Sequence, residues 1–186
     1  MIASYHGNTK VAQLLIEEGA DIKTQANNGQ TALMSASEMG HTEVAELLRE
    51  AEADINAQDN NGYTALMKAS QFGHPEVAKL LIEAGADVNA HSKEGFTALM
   101  TASQYGHPEV VRLLIEKGAD VNIQENNGQT ALMSASAMGH TEVAKLLIEA
   151  GADVNVELND GFTALMLAPE YGYPEVAQLL KEAGAR

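Results

Sequence analysis

Four histidines recur along the chain with a spacing that raises the question of a metal site. Each follows a glycine, and the four are His41, His74, His107 and His140, at steps of 33 residues. Equivalent residues of neighbouring units in a helical stack lie about 8–10 Å apart, whereas zinc ligands must each come within about 2.1 Å of one ion. We therefore expect no metal site and expect each histidine to bond to backbone in its turn.

The other reactive side chains do not form a catalytic or cofactor-binding motif. The stretch DINAQDNNG, which begins at Asp54, resembles the start of a calcium loop, but Asp59 stands where that loop needs glycine. The serines of the repeated SAS lack a nucleophile elbow and suit packing positions. No glycine-rich stretch is followed by the lysine and hydroxyl pair that holds phosphate. The sequence therefore predicts no enzyme activity, no catalytic residue and no cofactor.

Composition limits the classes of partner. Of the 186 residues, 45% are hydrophobic and 20% are charged, which is typical of a folded globular chain. The net charge is −15, from 26 acidic and 11 basic residues, and it repels phosphate backbones. No apolar run approaches the roughly 20 residues that a membrane span needs. We expect neither a nucleic-acid nor a membrane partner. The lack of cysteine fits a reducing compartment such as the cytoplasm, and we expect a monomer.

The elements that position these residues belong to an internal repeat. The string TALM begins at Thr31, Thr64, Thr97, Thr130 and Thr163, at steps of 33 residues. Self-similarity at such a period is typical of stacked repeat architectures. We therefore predict one repeat domain over 1–186. Its units, numbered one to six, are 1–26, 27–59, 60–92, 93–125, 126–158 and 159–186, of which the first and last are truncated.

Each full unit has the start and stop signals of two short helices. The Thr31 hydroxyl can cap the first helix, which buries Leu33 and Ala36 and stops at Gly40. The second helix follows His41. Its apolar stripe comprises Val44, Leu47, Leu48 and Ala51. Proline suits the first turn of this helix in three units, at Pro75, Pro108 and Pro174. Glycine can end it in a left-handed conformation, at Gly19, Gly85, Gly118, Gly151 and Gly184.

The stretch NGYTALMKASQFGHPEVAKLLIEAGADVNA, from Asn61 to Ala90, resembles the ankyrin repeat almost position by position, and the resemblance covers essentially the whole chain. It implies an all-α solenoid of stacked helix-turn-helix units with β-hairpin-like finger loops. Two departures recur. Ala32 and its equivalents replace the family's usual proline, and five methionines replace its usual histidine. We expect an apolar methionine ladder to take its place, at Met34, Met67, Met100, Met133 and Met166.

Positions that vary between units are candidates for recognition. The residue after the finger glycine is Gln30, Tyr63, Phe96, Gln129 or Phe162, and the residue before the inter-helix glycine is Met39, Phe72, Tyr105, Met138 or Tyr171. Lys68 and Thr101 share a third variable position. The resemblance places these residues on the concave side. They either pack finger against helix or anchor a partner, and both roles are compatible. The co-variation predicts that Tyr63 touches Phe72 and that Phe96 touches Tyr105.

The resemblance implies a non-enzymatic module that binds a protein on its concave surface, and the charge of −15 favours a neutral or basic partner. Two alternatives remain at this stage. One is a regulatory or targeting domain of a larger enzyme or effector. The other is an engineered, consensus-like array without a natural partner. The near-identity of units two and five supports the engineered origin, whereas Glu52 in a glycine position and Pro169 inside a helix oppose it.

Overall fold

The computed structural model describes all 186 residues and contains twelve short α-helices in six consecutive pairs. Their bounds are α1 (Ile2–Tyr5), α2 (Thr9–Glu17), α3 (Ala32–Glu38), α4 (Thr42–Glu50), α5 (Ala65–Gln71), α6 (Pro75–Glu83), α7 (Ala98–Tyr105), α8 (Pro108–Glu116), α9 (Ala131–Met138), α10 (Thr141–Glu149), α11 (Ala164–Glu170) and α12 (Pro174–Glu182).

The helices form two layers. The first layer contains the odd-numbered helices and the second layer the even-numbered ones, and each helix packs against the equivalent helix of the next unit as well as its own pair. Strand structure is limited to two isolated bridges in the finger loops, His91 with Thr97 and Glu157 with Thr163. The predicted all-α repeat solenoid is confirmed.

Threonine caps fix where the first-layer helices begin. The Thr31 hydroxyl oxygen accepts a hydrogen bond of 3.1 Å from the backbone N–H of Met34. Thr64, Thr97 and Thr130 make the same bond in their units. Such a cap satisfies one of the free amides at a helix start. The unit-six equivalent, Thr163, makes no cap bond, and its hydroxyl is enclosed without a partner.

One continuous core of 39 buried apolar residues runs through the stack. The predicted methionine ladder holds for Met34, Met67, Met100 and Met133, which are at most 1% exposed. It is wrong for Met166, which is 52% exposed because no further unit packs on α11. Along α4, Val44 and Leu48 are buried, whereas Leu47 and Ala51 are only half-buried.

Two irregular positions noted in the sequence are irregular in the structure as well. Glu52 has a φ of 62°, and it is the one residue other than glycine with positive φ. Pro169 lies inside α11. The longest helices have nine residues, and no helix combines the length and apolar character needed to cross a membrane.

Candidate binding surface

The finger loops are bonded to one another from unit to unit. The backbone N–H of Asn60 donates to the carbonyl of Asn28 at 2.9 Å, and its side-chain amide donates to the carbonyl of Asn27 at 2.9 Å. Gly62 sits so close to the next finger that a Cβ there would lie 2.8 Å from the Lys93 nitrogen. These bonds and contacts hold successive fingers at a fixed spacing.

The turn histidines connect neighbouring units. Nε2 of His74 lies 3.1 Å from the carbonyl oxygen of Glu38, 36 residues earlier in the chain. His41, His107 and His140 make the same bond to Tyr5, Gln71 and Gln104, at 2.9–3.1 Å. The prediction of a backbone bond is confirmed. Its acceptor, however, belongs to the preceding unit, which the sequence did not indicate.

A row of large apolar side chains is exposed at the ends of the first-layer helices. We call it the helix-end row, and one member comes from each of five consecutive units. Their exposed fractions are 39% for Met39, 46% for Phe72, 49% for Tyr105, 47% for Met138 and 59% for Tyr171. A side-chain contact links two units here, because the Gln71 amide donates to the Tyr105 hydroxyl at 3.2 Å.

The residues after the finger glycines form a second row, the finger row, which is less exposed. Tyr63 and Phe96 pack partly against the core, and Phe162 is 37% exposed. The Gln30 amide donates to the Glu38 carboxylate, and the Gln129 amide donates to the Ser134 hydroxyl, each at 3.0 Å. The finger row therefore joins the finger to the first-layer helix of its own unit.

Tyr63 belongs to a charged cluster in unit three. The Lys68 ammonium lies 5.0 Å from the centre of the Tyr63 ring, within the range of a cation–π interaction. It also lies 3.5 Å from a carboxylate oxygen of Asp59. Partial burial raises the pKa of the Tyr63 hydroxyl, and nearby Glu94, Tyr105 and Asp59 act in the same direction.

One expectation about this surface is wrong, and another stays a prediction. The only pair of packed aromatic rings is Tyr5 with His6. The rings of Tyr63 and Phe72, and those of Phe96 and Tyr105, are therefore not stacked, and the predicted contacts of these side chains stay predictions. Thr101 is 3% exposed, and its hydroxyl donates to the carbonyl of Ala98 at 2.9 Å, so it cannot reach a partner. A threonine that satisfies its hydroxyl within its own helix can be buried like an apolar residue.

Sequence reasoning missed the acidic residues that hold this surface together. Asp59 accepts hydrogen bonds from the backbone N–H groups of Asn61 and Tyr63, each at 2.9 Å, and also pairs with Lys68. A signal was present, because Lys68 is the only residue at its repeat position that has an aspartate nine residues before it. A spacing of nine residues across a turn does not by itself predict that the two side chains are in contact.

Comparison with protein families gives one description for the whole chain. The model for ankyrin repeats (three copies) matches residues 1–92, 53–125, 89–158 and 122–186. Comparison with curated protein sequences gives no significant match. The overlapping family matches extend from the first residue to the last, in agreement with the six stacked helix pairs. The chain belongs to the ankyrin repeat family.

Proposed function

We propose that this chain is a non-catalytic module that binds a protein partner on the face formed by its finger loops and first-layer helices. Ankyrin repeats are generally protein–protein interaction modules and are typically non-catalytic. The contacting residues in this proposal are Gln30, Tyr63, Lys68, Phe72, Phe96, Tyr105, Gln129, Phe162 and Tyr171.

The helix-end row is the observation that carries the proposal. Single exposed apolar residues are normal on a protein surface. A row in which five consecutive units each expose 39–59% of a large apolar side chain is a regular feature of one face, because their helices pack one on the next. Contiguous apolar surface marks interaction sites, and aromatic residues and methionine are enriched in interfaces. The row therefore supplies anchors that the fold itself does not need to bury.

The surface is already cross-linked by hydrogen bonds in the free chain. The finger-to-finger bonds of Asn60 and the histidine bonds between units fix the spacing of successive anchors. The bonds of Gln30 and Gln129 hold the finger row against the helices. A surface ordered in advance loses less conformational entropy on binding.

Charge favours a neutral or basic partner. Lys68 is the only basic residue in the first-layer helices, and it is paired with Asp59. The chain has a net charge of −15. Long-range attraction of this kind mainly raises the association rate and weakens as salt increases. Association should therefore be fastest at low ionic strength.

The proposal is tested by affinity capture with the intact chain and two variants. The surface variant replaces Phe72 and Tyr105 with methionine and Tyr63 and Phe96 with glutamine, as in units two and five. The control carries Lys79→Gln with Glu83→Gln, which removes an exposed ion pair of α6 without changing the net charge. A protein retained by the parent and the control but lost by the surface variant supports the proposal. Equal retention by all three overturns it.

A further inference from the structure

Two fingers carry a carboxylate at the same position, and only one of the two carboxylates is neutralised within the chain. The position is the residue just before a unit begins, and it is Asp59 at the start of the unit-three finger and Glu125 at the start of the unit-five finger. The other units have no acid there, since they carry Ala26, Ser92 and Leu158. The two acidic units can therefore be compared directly.

In unit three the chain supplies its own cation. One oxygen of Asp59 accepts hydrogen bonds from the backbone N–H groups of Asn61 and Tyr63. The other oxygen lies 3.5 Å from the Lys68 ammonium, and the two side chains are only 8% and 19% exposed. This partly buried pair shows how a lysine fits between the finger and the first-layer helix.

In unit five the same arrangement lacks the cation. Oε1 of Glu125 accepts from the backbone N–H groups of Asn127 and Gln129, at 3.0 and 3.1 Å. The residue equivalent to Lys68 is Ser134, whose hydroxyl donates to the carbonyl of Thr130 at 3.1 Å. Oε2 of Glu125 accepts no hydrogen bond, although the residue is only 5% exposed. A buried carboxylate without a counter-charge is costly.

The unpaired oxygen is not completely enclosed. Three side-chain atoms are enclosed without a hydrogen-bond partner, the hydroxyls of Ser70, Ser103 and Thr163, and Oε2 of Glu125 is not one of them. We propose that Glu125 is a subsite for a lysine side chain of the protein partner, whose ammonium takes the place that Lys68 has in unit three. The inference rests on the proposed function, and it names the chemistry of one contact.

A lysine suits this subsite better than a metal ion does. No group of three histidine, aspartate or glutamate side chains comes together here or elsewhere in the chain, whereas calcium takes six to eight oxygen ligands. The ammonium of lysine is a compact point charge on a flexible stem. Such a stem can carry the ammonium from the surface of the partner to the carboxylate.

The test uses the intact, ¹⁵N-labelled chain and two uncharged-end peptides, acetyl-Gly-Lys-Gly-amide and its norleucine analogue. The backbone amides of Asn127 and Gln129, which donate to Glu125, are the reporters. We expect the lysine peptide to shift both amides in a saturable way and the norleucine peptide to leave them unchanged. The amides of Asn61 and Tyr63 should not respond, because Lys68 already occupies their carboxylate.

Three variants make the assignment specific. Glu125→Gln keeps an acceptor for the two amides and should weaken lysine-peptide binding roughly tenfold or more, as expected for loss of a charge-assisted hydrogen bond. Ser134→Lys should close the subsite from within. Lys68→Ser should open the unit-three site, so that Asn61 and Tyr63 begin to respond. Melting curves identify any variant that fails to fold. The variants that do fold then decide whether Glu125 binds the lysine side chain.

The proposal is overturned if the lysine peptide shifts nothing, if its shifts persist in Glu125→Gln, or if all acidic regions respond alike. Failure of the subsite is distinguishable from failure of the proposed function. The peptide titration depends on Glu125 alone, whereas the capture experiment depends on the four aromatic positions. If the parent captures a partner through those positions but the lysine peptide does not shift its Asn127 and Gln129 amides, only the subsite is refuted.

Discussion

Nε2 of His107 lies 2.9 Å from the carbonyl oxygen of Gln71, so a side chain of unit four is bonded to the backbone of unit three. A carbonyl oxygen only accepts hydrogen bonds, and Nε2 must therefore carry the proton. The imidazole also covers Gly73, where a Cβ would lie 2.5 Å from Nδ1 of His107. One histidine thus fixes both the spacing and the close approach of two units.

The first prediction compares two glycines that both have positive φ. Gly73→Ala should destabilise the chain more than Gly85→Ala, because a Cβ at Gly73 meets the His107 ring and a Cβ at Gly85 meets nothing within 4 Å. The backbone cost at each is about 1 kcal/mol, and overpacking at Gly73 adds about 1–3 kcal/mol. Urea unfolding measures the free energy of unfolding of both variants. Adding His107→Ala to Gly73→Ala should recover part of the lost stability. Equal losses in the two glycine variants would contradict a close contact of Gly73 with the His107 ring.

Glu52 gives a stabilising substitution. Its φ of 62° is unfavourable for a residue with a side chain, and the equivalent residue of the next unit, Gly85, has a left-handed backbone as well. Glu52→Gly should therefore raise the free energy of unfolding by about 1 kcal/mol. The gain should appear mostly in units one to three, because a solenoid couples nearest neighbours. Hydrogen exchange resolved by unit measures it, and an unchanged or lower stability argues against strain at Glu52.

Pro169 should weaken the last unit. It replaces the serine found in units two to five, and in its unit the Thr163 hydroxyl has lost the cap bond to the helix. A proline inside a helix removes a hydrogen bond and crowds the preceding turn, at a cost of about 3 kcal/mol. Pro169→Ser should slow amide exchange over 159–186. The reverse change, Ser136→Pro, should speed exchange in unit five, and no change in either variant would refute the account.

Tyr63 predicts a loss of stability at alkaline pH. Burial, together with Glu94, Tyr105 and Asp59, raises its pKa above the usual 10.0 in the folded chain. The folded state therefore binds this proton more tightly, and the resulting stability, fully present below pH 10, is lost as pH rises through the folded-state pKa. Tyr63→Phe should show a smaller decline in unfolding free energy between pH 9 and 11. If the free energy of unfolding fell equally in the parent and in Tyr63→Phe, the raised pKa of Tyr63 would be contradicted.

Much of the fold follows from local signals that repeat. The threonine caps and the glycine stops each act within a few residues of their position. Because these signals recur every 33 residues, the sequence alone locates the helix pairs. Met166 departs from the ladder because its burial depends on a following unit that does not pack on it. In a solenoid, the burial of a side chain depends on the neighbouring units, and the sequence pattern of one unit does not show whether those neighbours are present.

The surface was less predictable because it depends on side-chain geometry. The repeat position of Lys68 varies between units. The lysine there is explained by its contacts with Asp59 and Tyr63 and not by exposure to solvent. Thr101 occupies the same repeat position and is buried. Variation between units identifies positions that the fold does not dictate. It does not tell whether the side chain there faces solvent or a neighbouring finger.

In the proposed function, the aromatic residues of units three and four anchor a protein partner. The most direct test measures partner affinity and melting temperature on the same samples of the parent and of a variant with Tyr63→Gln, Phe72→Met, Phe96→Gln and Tyr105→Met. We expect the variant to lose about 2 kcal/mol or more of binding free energy and to melt within a few degrees of the parent. A lower melting temperature with unchanged affinity would contradict this expectation and would show that these aromatics only pack the fold.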